Sequence, residues 1–82
     1  MRRDKLKIID DILEVTEGEI KKTIIMYRAG LSFRQLEDYL SFLKERGLII
    51  NRTDNGGKVT YKISKKGRKF RENYRELVSL MT

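Results

Sequence analysis

Leu48-Ile49-Ile50-Asn51-Arg52-Thr53-Asp54-Asn55-Gly56-Gly57-Lys58-Val59-Thr60-Tyr61-Lys62-Ile63 is the stretch that decides how this chain is read. Two runs rich in β-branched residues flank Asp54-Asn55-Gly56-Gly57, the clearest hairpin signal in the sequence. A two-residue Asn55-Gly56 turn pairs Ile50 with Tyr61, Leu48 with Ile63 and Arg52 with Val59. That register predicts strands over 48–53 and 58–63, with Leu48, Ile50, Val59, Tyr61 and Ile63 on one face. Asn51, Thr53, Lys58, Thr60 and Lys62 fall on the other, and Ile49 is the exception. A loop one residue longer breaks this match unless a bulge restores it.

The same region holds the positive charge. Between Asn51 and Arg71 stand Arg52, Lys58, Lys62, Lys65, Lys66, Arg68, Lys69 and Arg71, against one acid, Asp54. The chain's formal net charge of +7 is therefore the charge of this stretch, since the parts before and after it nearly balance. An uneven field of this kind marks a surface that meets a polyanion. Ser64 caps a last helix over 65–81. Lys65, Lys66, Arg68 and Lys69 lie at its start, where cations oppose the helix dipole, so helix stability is not what places them.

Working back from the hairpin, Gly47 stops a helix that begins at the N-cap Ser32, with Gln35 completing a capping-box pattern. Its expected core stripe is Phe33, Leu36, Leu40 and Leu43. Ala29-Gly30-Leu31 is a tight turn, preceded by a helix over 21–28 with Ile20, Ile24, Ile25 and Tyr27 as core candidates. Glu19-Ile20 reads as a short strand or turn. A first helix runs over 4–17, with Leu6, Ile9 and Leu13 on one face and Ile8, Ile12 and Val15 beside it. Asp10, Asp11, Glu14 and Glu17 cover the remainder as a solvated acidic side, with Lys7 and Asp11 at ion-pair spacing.

The order is helix, short strand or turn, helix, turn, helix, strand, wing, strand, helix. Two helices joined by a short glycine turn and followed by a basic hairpin form a winged helix-turn-helix. The expected class is α+β, mainly α, with a three-helix core, a two- to three-stranded β-wing and a C-terminal helix. Residues 1–82 form one domain, with the winged-helix core at 4–63 and the last helix at 64–82. Eighty-two residues give a small core and little room for a deep cleft. With no Cys and no His, disulfides, thiolate chemistry and the commonest general base and metal ligand are excluded. No metal, cofactor or small-molecule ligand is expected, nor an enzyme. No apolar run is long enough for a membrane span, and a cytoplasmic, nucleoid-associated protein is expected. The high charge and lack of Pro and Cys fit a hot-environment organism, and equally an ordinary small basic domain.

The run Lys21-Lys22-Thr23-Ile24-Ile25-Met26-Tyr27-Arg28-Ala29-Gly30-Leu31-Ser32-Phe33, continued by Leu36, Tyr39-Leu40, Leu43 and Gly47-Leu48-Ile49, resembles an archaeal winged-helix family. That family holds predicted transcriptional regulators and ten-kilodalton chromatin-type DNA-binding proteins. Tyr61-Lys62-Ile63-Ser64-Lys65-Lys66-Gly67-Arg68-Lys69-Phe70 is similar to its strand-to-last-helix junction. The resemblance implies DNA binding through the third helix and the wing. It also implies a homodimer held by the last helix as an antiparallel coiled coil, although members with long coiled coils have longer last helices than this one.

Candidate DNA contacts follow. In the third helix the face opposite Leu36 carries Arg34, Asp38, Ser41 and Glu45, with Gln35 and Phe42 on a flank. Ser32, Phe33, Arg34 and Gln35 stand at the end that enters a major groove. Arg suits guanine and Gln suits adenine by bidentate geometry. The helix carries three bases (Arg34, Lys44, Arg46) and three acids (Glu37, Asp38, Glu45), which argues for modest sequence reading. The wing contributes Arg52, Lys58 and Lys62, the last helix Lys65, Lys66 and Arg68. Lys21 and Lys22 open the second helix, whose amides suit a phosphate as well as plain solvation. Arg2, Arg3 and Lys5 are candidates for a basic arm. Phe70, Tyr74, Leu77 and Met81 form a heptad seam, with Val78 and Leu80 widening it, as a dimer interface or as packing on the chain's own first helix. Two other readings stand beside DNA binding. A protein-interaction winged helix would use Phe42 and Tyr39 as anchors, and RNA binding fits the charge without an evident stacking platform.

Overall fold

A computed structural model describes residues 3–82. Its elements run α1 Lys5–Val15, α2 Lys22–Ala29, α3 Phe33–Glu45, β1 Ile49–Thr53, β2 Val59–Ile63 and α4 Lys65–Met81. The arrangement is a winged helix, mainly helical, with one two-stranded antiparallel sheet.

Most element ends are set by local chemistry. Asp4 caps α1 by accepting from the Lys7 amide at 2.8 Å. The expected helix over 4–17 ends at Val15, because buried Thr16 turns its hydroxyl back onto the Ile12 and Leu13 carbonyls and gives its own carbonyl to the Ile63 amide at 2.7 Å. Gly30 closes α2 in the left-handed region (φ 66°), a conformation that only glycine adopts cheaply. Ser32 and Gln35 form the capping box on α3. Ser64 caps α4, accepting from the Gly67 amide and donating to the Gly47 carbonyl at 2.6 Å. Gly67 is where α4 crosses the start of β1. A Cβ there would lie 2.2 Å from the Leu48 carbonyl oxygen, so no side chain fits.

The wing departs from the expected register. The pairs are Ile49 with Ile63, Asn51 with Tyr61 and Thr53 with Val59, one residue out of step with an Asn55-Gly56 turn. Asp54 causes the shift. Its carboxylate accepts from the Gly56 and Lys58 amides at 2.9 Å each, and Gly57 takes φ 81°. A three-residue loop with a left-handed last residue replaces the two-residue turn. Ile49 therefore enters the core, while Ile50 is 51% exposed and Val59 is also at the surface. Arg52 and Lys62 now share a face.

The core gathers Ile9, Ile12 and Leu13 from α1, Ile25 and Ala29 from α2, and Leu36, Leu40 and Leu43 from α3, closed by Leu48, Ile49, Tyr61 and Ile63. Four expected core residues lie elsewhere. Leu6 and Ile24 are exposed, Tyr27 is 87% exposed and Phe33 60%. In α2 only the Ile25–Ala29 stripe faces inward, and Tyr27 lies about 200° around the helix from Ile25. Phe33 stands at the very start of α3, beyond the edge of the core.

The acidic side of α1 is not wholly solvated. Asp10 is only 6% exposed and Arg71 of α4 only 8%. The Arg71 Nε donates to Asp10 at 3.0 Å, and its terminal nitrogens reach Glu17 at 3.2 Å and Glu14 at 3.5 Å. Burial works to lower the Arg71 pKa, but the hydrogen bonds and charges of Asp10, Glu17 and Glu14 together outweigh it and hold the guanidinium charged above its ordinary range. This pair fastens α4 to α1. Arg71→Ala leaves Asp10 buried without its partner and is expected to cost about 3–5 kcal/mol in urea unfolding. The exposed Lys69–Glu72 pair serves as control, with Lys69→Ala within about 0.5 kcal/mol.

Candidate nucleic-acid interface

Three elements bring the candidate cations to one region. Ile20 pairs with Tyr61 as an isolated bridge, through bonds of 3.0 and 2.8 Å in the two directions. The chain entering α2 is thereby stitched to the edge of the wing. Lys21 is the N-cap of α2 with extended backbone and no side-chain acceptor for the helix's first amides. Across the bridge stands Lys58. The Lys21 ammonium, beside it, lowers the Lys58 pKa below the ordinary value of 10.5. Two ammonium groups thus stand beside helix amides that no side chain caps, a combination whose charge favours an anion.

Lys22 is differently placed. It forms an ion pair with Glu37 of α3, and that hydrogen bond raises its pKa above the ordinary lysine value. Its ammonium also lies 5.5 Å from the centre of the Phe33 ring. Ser32 and Gln35 are occupied with each other. The Gln35 side-chain oxygen accepts from the Ser32 amide at 2.9 Å, which leaves only its NH2 for a base edge. Bidentate adenine reading by Gln35 would require breaking the cap. Arg34 and Asp38 are exposed and form no ion pair among the described residues.

On the wing, Arg52 pairs with Glu19 at 2.7 Å, and the Thr60 hydroxyl reaches the same carboxylate at 3.5 Å. Lys62 is half-buried beside them. Lys65 and Lys66 are exposed and, among the described residues, outside any ion pair, whereas Arg68 approaches Glu17 at 3.5 Å. Arg3 is not a free arm: it bonds Asp11 and the Ala29 carbonyl, both at 2.7 Å. Arg2 lies outside the described residues. Burial acts to raise the Asp11 pKa, but hydrogen bonds from Lys7 and Arg3 outweigh it and leave the carboxyl below its ordinary value. The ion-pair roles of Glu19, Glu37 and Arg71 are not legible in the sequence. Their partners lie 33, 15 and 61 residues away, beyond the reach of any local pattern.

The expected dimer residues divide. Phe70 packs against the core and stacks on Tyr74, with ring centres 6.3 Å apart and planes 6° from parallel. Leu77, Val78, Leu80 and Met81 are exposed, because the 17-residue α4 outruns the 11-residue α1. An open groove of about 180 Å³ between Leu6, Phe70, Asn73, Tyr74 and Leu77 continues this apolar face. No helix is long and apolar enough to cross a membrane, and no acidic cluster among the described residues is arranged to hold a metal.

Helix-turn-helix, wing and the cations between them define a winged helix-turn-helix domain. Residues 2–82 match the family model for the winged helix-turn-helix, and the chain belongs to that family. Two uncharacterized proteins of Methanocaldococcus jannaschii are similar to it. One is 33% identical over 82 residues, and the other is 32% identical over 81. The first alignment covers 99% of this chain but only 36% of the relative, the second 98% and 78%. Among solved structures, the DNA-binding protein Sso10a-2 of Sulfolobus solfataricus superposes with a TM-score of 0.86 and 28% identity. That superposition covers 96% of this chain and 82% of the other.

The Lys21–Lys58 contact has a direct test without any ligand. In an NMR titration of the lysine side chains, Lys58 is expected to lose its proton below the ordinary lysine range. Lys21→Ala should return it to the ordinary lysine range.

Proposed function

We propose that this chain binds double-stranded DNA as a homodimer, acting as a transcriptional regulator or a chromatin-type protein. The observation that carries the reading is the joining of wing and helix-turn-helix into one cationic surface at Lys21 and Lys58. The α2 amides with these two ammonium groups take a backbone phosphate. The start of α3 enters the major groove, where Arg34 reaches a guanine edge. The wing lies on the backbone or in the minor groove through Lys58, Lys62 and Arg52, and Lys65 and Lys66 add further phosphate contacts. Lys22, Ser32, Phe33, Gln35, Asp38 and Arg68 complete the surface, several of them already committed to partners within the chain. The DNA-binding activity named for Sso10a-2 supports the reading.

The outer half of α4 supplies the dimer contact. Leu77, Val78, Leu80 and Met81 are apolar, exposed and contiguous with the groove beside Leu6. Two copies joined there would place their recognition helices on half-sites related by turns of about 10 bp. No enzymatic activity and no cofactor are proposed, and the location is the cytoplasm, on the nucleoid. A second reading rests on a different observation. Phe42 lies between Lys5 and Arg46, 5.6 and 5.1 Å from the ring centre, beside Tyr39 in an open groove of about 380 Å³. A protein docking there would depend on Phe42 and little on salt.

Titration of a duplex of about 30 bp by fluorescence anisotropy separates the two, because phosphate contacts make log K fall with log salt at about 0.9 per contact. A slope of about −4 or steeper is expected, and Lys21→Ala with Lys58→Ala should flatten it by about 2. No binding at low salt would refute the proposal. Sedimentation at about 100 µM should show a dimer that Leu77→Glu with Met81→Glu converts to a monomer.

A further inference from the structure

We propose that Phe33 reads the C5-methyl group of a thymine in the major groove, with Lys22 and Glu37 as positioning residues that hold its ring. The inference rests on the DNA-binding reading above and adds a base-reading contact to it.

Three observations converge on Phe33. Its ring is 60% exposed, since Leu36, Leu40 and Leu43 fill the core side of α3. A single exposed apolar residue is ordinary and asks for no explanation. This one, however, is the first residue of α3, and side chains on a helix lean toward its N-terminus. The ring therefore projects past the helix end, beside Arg34, into the space a groove would occupy.

The ring is also held. The Lys22 ammonium lies over it, 5.5 Å from its centre, and Glu37, one turn further along α3, holds that ammonium as an ion pair. A cation on one face leaves the opposite face and the edge free for contact. The arrangement also accounts for a carboxylate on the flank of a helix that approaches phosphate, because Lys22 already neutralises it. Lys22 is thus drawn from phosphate contact toward ring placement.

What such a ring recognises follows from the groove. Thymine alone among the four bases presents a methyl group there, and apolar contact with that methyl is a standard way of reading it. Guanine and cytosine edges offer Phe33 no partner and would lose hydration against it.

The test compares two duplexes of one sequence, one with thymine and one with deoxyuridine in its place, which removes only the methyl groups. The wild-type protein is expected to bind the thymine duplex about fourfold more tightly for each methyl contacted, the factor for burying one such group. Phe33→Ala should bind the two equally, having lost affinity only for the thymine duplex. Phe33→Leu should keep part of the preference, and Lys22→Gln should reduce it by releasing the ring. Far-UV circular dichroism reports whether each variant is folded. Equal wild-type affinity for both duplexes, or a preference that survives Phe33→Ala, would overturn the assignment while leaving DNA binding intact. Failure to bind either duplex at low salt would instead refute the DNA reading and this inference with it.

Discussion

The backbone bridges that tie β2 to the helical body are the constraint on which the rest depends. Ile63 donates to Thr16 and Tyr61 exchanges two bonds with Ile20, so the wing's inner strand is anchored to both ends of the α1–α2 connection. An isolated two-stranded hairpin is marginal in water. Here it is fixed from outside, and Tyr61 and Ile63 enter the core as a consequence. The same bridges set Lys58 against Lys21. Two ammonium groups brought together repel each other, and an anion between them would relieve that repulsion. A wing hinged freely would move these charges apart, and the surface would lose its shape for an anion.

Around that anchor the charge is sorted. Glu19, Glu37 and Glu17 each take one cation of the basic surface, Arg52, Lys22 and Arg68 respectively. Arg52–Glu19 and Arg68–Glu17 are surface pairs worth little to stability, and Lys22–Glu37 is partly buried. Their effect is on which cations face outward unencumbered: Lys21, Lys58, Lys65, Lys66 and Arg34. The cation-rich stretch from Asn51 to Arg71, read alone, therefore overstates the field that a duplex would meet, because Arg52, Arg68 and Arg71 are each met by a carboxylate from an earlier part of the chain. Glu17 also reaches Arg71, whose buried pair with Asp10 is costly to break and fixes the line along which α4 leaves the body. That line carries Leu77 and Met81 beyond α1 and decides where a second copy would sit.

The parts legible in the sequence were those whose cause is local. Ser32 with Gln35, Ser64, Gly30 and Gly47 marked helix ends through caps that act within a few residues, and the span of α4 followed from them. The winged helix itself was legible from the order of these elements. The wing register was not, because Asn55-Gly56 and Gly57 offer competing turns and the choice belongs to the Asp54 side chain. Ile24 and Tyr27 read as core because apolar identity outweighs helix phase there, whereas Phe33 is in phase with Leu36, Leu40 and Leu43 but stands at the start of α3, beyond the edge of the core. Asp10 read as solvated because its partner lies on another helix. At the candidate interface the cations were visible as types, while their carboxylate partners depended on the fold. Sequence could not distinguish Lys21, open beside Lys58, from Lys22, bound to Glu37.

The central claim is that wing, α2 start and α3 start form one DNA-facing surface. Its most direct test is an amide chemical-shift map of the isotope-labelled protein with a short duplex. The account predicts perturbations that begin at Lys21, Lys22 and Thr23, continue through Phe33 and Arg34, and include Lys58 and Lys62, with α1 unaffected. Shifts confined to Tyr39, Phe42 and Arg46, with the α2 and wing amides unmoved, would contradict it.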